Sequence, residues 1–150
     1  PIDDVDPDEA RETLIANMYH AAEELGKVGV VALVEAINTR DQPGFFISTT
    51  KQSLRAIDDA GHPNLAVLYD FYHMQIMEGD LARTIESNLS VISHMQLADN
   101  PGRHEPGSGE INYEFLFPFI DKLGYDGWIG CEYVPLSDTV KGLTWIQKHL

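Results

Sequence analysis

VGVVALVEAIN, residues 28–38, is a run of β-branched and small apolar residues interrupted by one acid, Glu35. A run of this length without polar alternation predicts a strand buried on both faces, as in a parallel sheet. Upstream, Leu14, Ile15, Met18, Ala21, Ala22 and Leu25 recur at helical spacing between Asp8 and Leu25, and Gly26 supplies a stop. Downstream, TTKQSLRAIDDAG (49–61) reads as a helix opened by a Thr49 or Thr50 cap and closed by Gly61. NLAVLYDFYH (64–73) is a second buried strand. The alternation continues through a helix in DLARTIESNLSVI (80–92), a short strand in SHMQLADN (93–100) and a helix in YEFLFPFIDKLG (113–124), where Pro118 is the one expected kink. A strand in GWIGCEY (127–133) and a last helix in TVKGLTWIQKHL (139–150) complete the chain. One helix followed by four strand and helix pairs is the pattern of parallel α/β architecture with right-handed crossovers. On pattern alone it suits a doubly wound sheet or a barrel.

The 150 residues fit one domain, 1–150, with its own core, and 43% hydrophobic with 23% charged residues excludes the composition of a disordered chain. The formal net charge of −14 repels phosphate backbones and anionic bilayers, so neither nucleic acid nor a membrane is an expected partner. No apolar stretch approaches the roughly 18 residues of a membrane span, and the acidic start PIDDVDPDEA is the opposite of a signal peptide. A single cysteine, Cys131, allows no internal disulfide and fits a reducing, cytoplasmic location. The start at Pro1 suggests a longer chain or a processed one.

Strand alternation places Val31, Leu33 and Glu35 on one face, and likewise Ala66, Leu68 and Asp70, then His94, Gln96 and Ala98, then Trp128, Gly130 and Glu132. Each strand therefore presents one oxygen-bearing side chain near its C-terminal end: Glu35, Asp70, Gln96 and Glu132. Three carboxylates and an amide converging there require a compensating cation or shared protons. All-oxygen ligands suit Mg²⁺ or Mn²⁺ better than zinc. The competing reading is that each acid caps a helix or meets an arginine. His73 follows Asp70 by three residues, and the loop ADNPGRHEPGSGEIN (98–112) carries Arg103, whose planar fork could grip a carboxylate. Cys131 points to the helix side of its strand and reads as core.

The stretches EAINTRDQPGFF (35–46), YDFYHMQIMEGDL (69–81), HMQLADNPGRHEPGSGEINY (94–113) and GWIGCEYVPLSDT (127–139) resemble hydroxypyruvate isomerase and its relatives. The resemblance extends from about Val30 onward. It implies a (β/α)₈ TIM barrel of the xylose isomerase-like superfamily, of which the chain supplies the C-terminal half, strands five to eight. It also implies a divalent metal ion, Mg²⁺ with Mn²⁺ as the alternative, held by Glu35, Asp70, Gln96 and Glu132. The two glutamates are the implied proton donor and acceptor. His73 and Arg103 resemble substrate-contacting positions. Ketose epimerases commonly carry histidine where Gln96 stands, so the chain follows the isomerase branch at that point. The implied reaction interconverts hydroxypyruvate and tartronate semialdehyde (2-hydroxy-3-oxopropanoate) through a metal-stabilised enediolate, with a related oxo acid such as 2-oxo-tetronate as the alternative substrate.

A full barrel takes about 250 residues. Four strands leave two open sheet edges, and the inward residues Val31, Leu33, Ala66 and Leu68 are expected to meet water. Association with the remaining half barrel, or as a homo-oligomer, is therefore expected. A half barrel that keeps its site residues without turnover is the alternative.

Overall fold

A computed structural model describes residues 5–149. The chain opens with α1 (Pro7–Gly26), which Asp6 starts by accepting hydrogen bonds from the Asp8 and Glu9 amides, with Pro7 where a helix needs no donor. Four parallel strands follow in chain order: β1 (Ala32–Glu35), β2 (Leu65–Asp70), β3 (Ile92–Leu97) and β4 (Trp128–Cys131). Between β1 and β2 lies α2 (Thr50–Ala60). Thr49 caps it in a reciprocal arrangement with Gln52, and Gly61 ends it at φ 64°, a conformation that favours glycine. Between β2 and β3 run α3 (Phe71–Met77) and α4 (Leu81–Asn88). The β3 to β4 crossover contains α5 (Tyr113–Leu123), and α6 (Thr139–Gly142) follows β4.

The helices lie on one face of the sheet. Val34, Val67, Tyr69, Met95 and Leu97 point into that layer and pack with Ile85, Leu116 and Ile120 as the core. The opposite face is uncovered within this chain: Leu33 is 38% and Trp128 82% exposed. The register pairs Glu35 with Leu68, Asp70 with Gln96, and Gln96 with Gly130. The strand ends thus rise along one stepped line. The Glu132 amide donates to the Leu97 carbonyl (3.0 Å), so the ladder extends one residue past β4 and carries Glu132 to that line.

Several local expectations are corrected. The second strand does not continue to His73; Asp70 turns the chain into α3, its Oδ1 accepting from the Tyr72 amide at 2.7 Å. The third expected helix stretch (80–92) shortens to α4 followed by a 3₁₀ turn at Leu89–Val91, after which Ile92 already belongs to β3. The last helix reduces to α6 and a 3₁₀ segment, Thr144–Lys148, while Leu150 lies outside the described residues. Cys131 is exposed and not core, because β4 is an edge strand and no neighbour covers its flank. Ala66 is buried where exposure was expected: β2 is central, and a small side chain is shielded by its neighbours.

Candidate active site

The C-terminal strand ends gather Glu35, Asp70 and His73, which offer ligand-type atoms all within 4.8 Å of one another. Asp70 is almost completely buried, His73 is buried and Glu35 is half-buried. His73 reaches this group because α3 begins at Phe71: three residues after Asp70 is nearly one helical turn, which folds the imidazole back over the aspartate. Its Nε2 lies 3.7 Å from Asp70 Oδ2 and 3.9 Å from Glu35 Oε1.

Arg103 approaches from the 98–112 loop. Its guanidinium donates to Glu132 Oε2 at 2.8 Å, stands 3.7 Å from Asp70 Oδ2 and lies 5.1 Å from the centroid of the Tyr72 ring. Three carboxylates, an imidazole and a guanidinium therefore share one edge, with Gln96 placed beside Asp70 by strand register.

Burial raises the Glu35 carboxyl above its ordinary range, the nearby Glu132 charge adds to this, and Arg103 opposes it. Asp70 is pushed up to about 7, mainly by burial; the Tyr72 amide and Arg103 pull the other way. Burial and Arg103 bring His73 down to about 4, so the imidazole is neutral at neutral pH. The Tyr72 hydroxyl, raised to about 12 by burial and by Asp41, donates to Asp41 Oδ2 at 2.7 Å. Asp41 is in turn held below the usual carboxylate range by hydrogen bonds from Tyr72 and Asn38. The edge thus holds two carboxyls whose hold on a proton is raised and one fixed cation.

Two oxygens test whether a cation fits here. Asp70 Oδ2 and Gln96 Oε1 are buried with no hydrogen-bond partner, and they stand on adjacent strands at paired positions. A buried acceptor without a donor is costly. A hard divalent ion would satisfy both, and the oxygen-only character of Glu35, Asp70, Gln96 and Glu132 suits it. Asp70 answers to both of the readings its sequence allowed, since Oδ1 caps α3 while Oδ2 remains free for the site.

Asn38, Asp41 and Asp99 lie outside the set marked by strand-end position or family resemblance. Asp99 is fully buried and organises the loop that delivers Arg103. Its Oδ1 accepts from the Asn100 and Ile111 amides (2.9 and 3.0 Å) and its Oδ2 from Gly107 (2.9 Å). Gly109 passes so close to Asn100 and Asp99 that a Cβ there would collide with both. The loop is tied to the segment after β4 by Val134 N–H to the Arg103 carbonyl at 2.8 Å. Arg103 itself sits at φ 54°, a left-handed conformation uncommon outside glycine. An aspartate at the head of a glycine-rich loop was the available signal for this hub.

Parallel strands that each deliver an acid or amide to one edge, beneath a loop bearing an arginine, define a segment of a (β/α) barrel with an acidic strand-end site. The chain belongs to the xylose isomerase-like TIM barrel family, whose model matches residues 2–149. It is 48% identical over 137 residues to the hydroxypyruvate isomerase of Escherichia coli (strain K12), a match covering 91% of this chain and 53% of that protein. It is 44% identical over 147 residues to the 2-oxo-tetronate isomerase of Cupriavidus necator, covering 98% and 56% respectively. A solved structure titled as an AP endonuclease, family 2, from Brucella melitensis superposes with a TM-score of 0.93 at 43% identity, over 98% of this chain and 57% of that one. The chain spans about half the length of the curated relatives it matches. Among the described residues, no helix is long and apolar enough to cross a membrane.

Proposed function

We propose that these residues form the proton-transfer edge of an isomerase that interconverts hydroxypyruvate and 2-hydroxy-3-oxopropanoate (tartronate semialdehyde). The observation that carries this reading is the convergence of Glu35, Asp70, His73, Arg103 and Glu132 at one strand edge, with two orphaned oxygens among the candidate ligands. Similarity to the Escherichia coli enzyme of that name supports the choice of substrate. A divalent ion, Mg²⁺ with Mn²⁺ as the alternative, held by Glu35, Asp70, Gln96 and Glu132, would supply electrostatic stabilisation of developing negative charge on the substrate oxygens.

The protein groups divide the remaining work. One glutamate removes a proton from the hydroxyl-bearing carbon, and a glutamate returns one to the adjacent carbon. The hydroxyl proton passes to the former carbonyl oxygen, so aldehyde and ketone exchange places with no net change in atoms or electrons. Glu35 suits the role of base because burial lifts its carboxyl toward neutral pH, where a base is most effective. The Arg103 guanidinium binds the substrate carboxylate, a local positive field that outweighs the global charge of −14. Neutral His73 donates from its ring to a substrate oxygen. In the working molecule the open sheet face is covered by further barrel strands or by another subunit, and the protein acts in the cytoplasm.

Hydroxypyruvate isomerisation, measured with and without Mg²⁺ or Mn²⁺ beside Glu35→Gln and Glu132→Gln, tests the reading. Metal-stimulated turnover that falls by about 10²- to 10⁴-fold in each variant is expected. Full turnover in Glu35→Gln would sink it. A second substrate, 2-oxo-tetronate, is favoured by the match to the Cupriavidus necator enzyme over 98% of the chain. Assaying both acids side by side separates the two. A chain that binds Mn²⁺ yet turns over neither acid would be a half barrel retaining its ligands without activity.

A further inference from the structure

Asn38 stands three residues beyond the Glu35 end of β1 and is completely buried, although it belongs to no helix or strand. Two of its donors converge on one atom. Its backbone N–H points at His73 Nδ1 at 3.3 Å, and its side-chain Nδ2 lies 2.6 Å from the same nitrogen. The orientation of the amide follows from its other contacts: Oδ1 accepts from the Asp41 N–H at 2.8 Å, and Nδ2 donates to Asp41 Oδ2 at 3.1 Å. Turning the amide over would set donor against donor at the Asp41 amide and acceptor against acceptor at its carboxylate. The amide nitrogen therefore faces His73.

A ring nitrogen that receives two donors must offer its lone pair, and in a neutral imidazole the proton then resides on the other nitrogen. That other nitrogen, Nε2, is the one directed at the site, 3.7 Å from Asp70 Oδ2 and 3.9 Å from Glu35 Oε1. Both distances exceed a hydrogen bond. The Nε2–H is thus left free to donate to a third oxygen between the two carboxylates, and it has no lone pair for a metal. Among Glu35, Asp70 and His73, only the oxygens remain open to an ion.

We propose that Asn38 is a positioning residue that holds His73 in its Nε2–H tautomer, making His73 a hydrogen-bond donor to substrate and excluding it from the metal-ligand set. The donor role rests on the isomerase reading; the tautomer does not. Asn38 also links this histidine to Asp41 and, through Asp41, to the Tyr72 ring beneath Arg103. One buried amide thereby aligns the donor with the anion-binding arm.

The test is long-range ¹H–¹⁵N NMR of the histidine rings in ¹⁵N-labelled protein, which reads the protonation of each ring nitrogen without needing turnover. His73 is expected to show an unprotonated Nδ1 and a protonated Nε2 at neutral pH, and to keep that pattern when Mg²⁺ is added. A protonated Nδ1, or loss of the Nε2 proton on adding Mg²⁺, would overturn the proposal. In Asn38→Asp a carboxylate replaces the donor facing Nδ1, so loss of the Nε2–H form as the majority species is expected. In Asn38→Ala, which keeps the backbone donor but not the shorter contact, an Nδ1–H population should become detectable. Spectra unchanged from wild type in a folded variant would remove the side chain from the argument. A protein that shows the tautomer but isomerises neither acid leaves this inference standing and defeats the functional one.

Discussion

Asp70→Asn is isosteric and removes a charge from the most buried carboxylate of the site. In the metal-free protein the Asp70 carboxyl is raised from 3.8 to about 7, chiefly by burial. Between those two values the folded protein holds a proton that the unfolded chain has released. Wild-type stability therefore falls as pH rises through the interval, and the full cost stands above about 7. At about 1.36 kcal/mol per pH unit the cost is on the order of 4 kcal/mol, of which roughly 3 kcal/mol falls between pH 5 and pH 8. Asparagine carries no such cost, and its carbonyl can still accept from the Tyr72 amide as Oδ1 does at 2.7 Å. Urea denaturation in chelator-containing buffer at both pH values should show the variant gaining about 3 kcal/mol on wild type from pH 5 to pH 8. Adding Mg²⁺ should stabilise wild type and leave the variant nearly unaffected. A variant-to-wild-type difference that is the same at both pH values would refute the assignment of Asp70 as a carboxylate whose buried charge is destabilising.

In chelator-containing buffer the Glu35 carboxyl is raised by burial and by the nearby Glu132 charge. Followed by carboxyl NMR, it should titrate above the ordinary 4.5, and a midpoint at or below 4.5 would refute the raised carboxyl. Arg103→Met deletes the charge that lowers both Glu35 and Asp70, so both titrations in the metal-free protein should move to higher pH. Loss of a charged hydrogen bond of about 1.5–3 kcal/mol should also raise KM for an anionic substrate roughly 10- to 100-fold; an unchanged KM would place the substrate carboxylate elsewhere. Asp99→Ala leaves the Asn100, Gly107 and Ile111 amides without their acceptor, and a stability loss of about 3 kcal/mol is expected by chemical denaturation. A loss under about 1 kcal/mol would show that water replaces the carboxylate without penalty.

Much of the fold is legible in periodicity because each strand and helix buries a continuous apolar set. Val34, Val67, Met95 and Leu97 face the helix layer, and the alternation that puts them there also puts Glu35, Asp70 and Gln96 on the other side. Where the local signal misled, tertiary context explains the miss. NLAVLYDFYH has strand composition to its end, yet Asp70 captures the Tyr72 amide and starts a helix, because a side-chain acceptor outcompetes further ladder pairing at that point. Cys131 alternates correctly toward the helix side but remains exposed, because burial depends on a neighbouring strand that β4 lacks.

By itself the amino-acid sequence determined the order of strands and helices, the four oxygen-bearing residues at strand ends and the cation in the glycine-rich loop. These follow from two- and 3.6-residue periods, which depend only on backbone geometry. The tertiary structure alone decided which of those groups meet. Arg103 pairs with Glu132, 29 positions away along the loop and strand, and Asn38 reaches His73 across two elements. Such contacts are set by strand register and loop closure. The protonation of Glu35, Asp70 and His73 likewise depends on burial and on charges that the fold brings together, and neither can be read from a residue's own position in the chain.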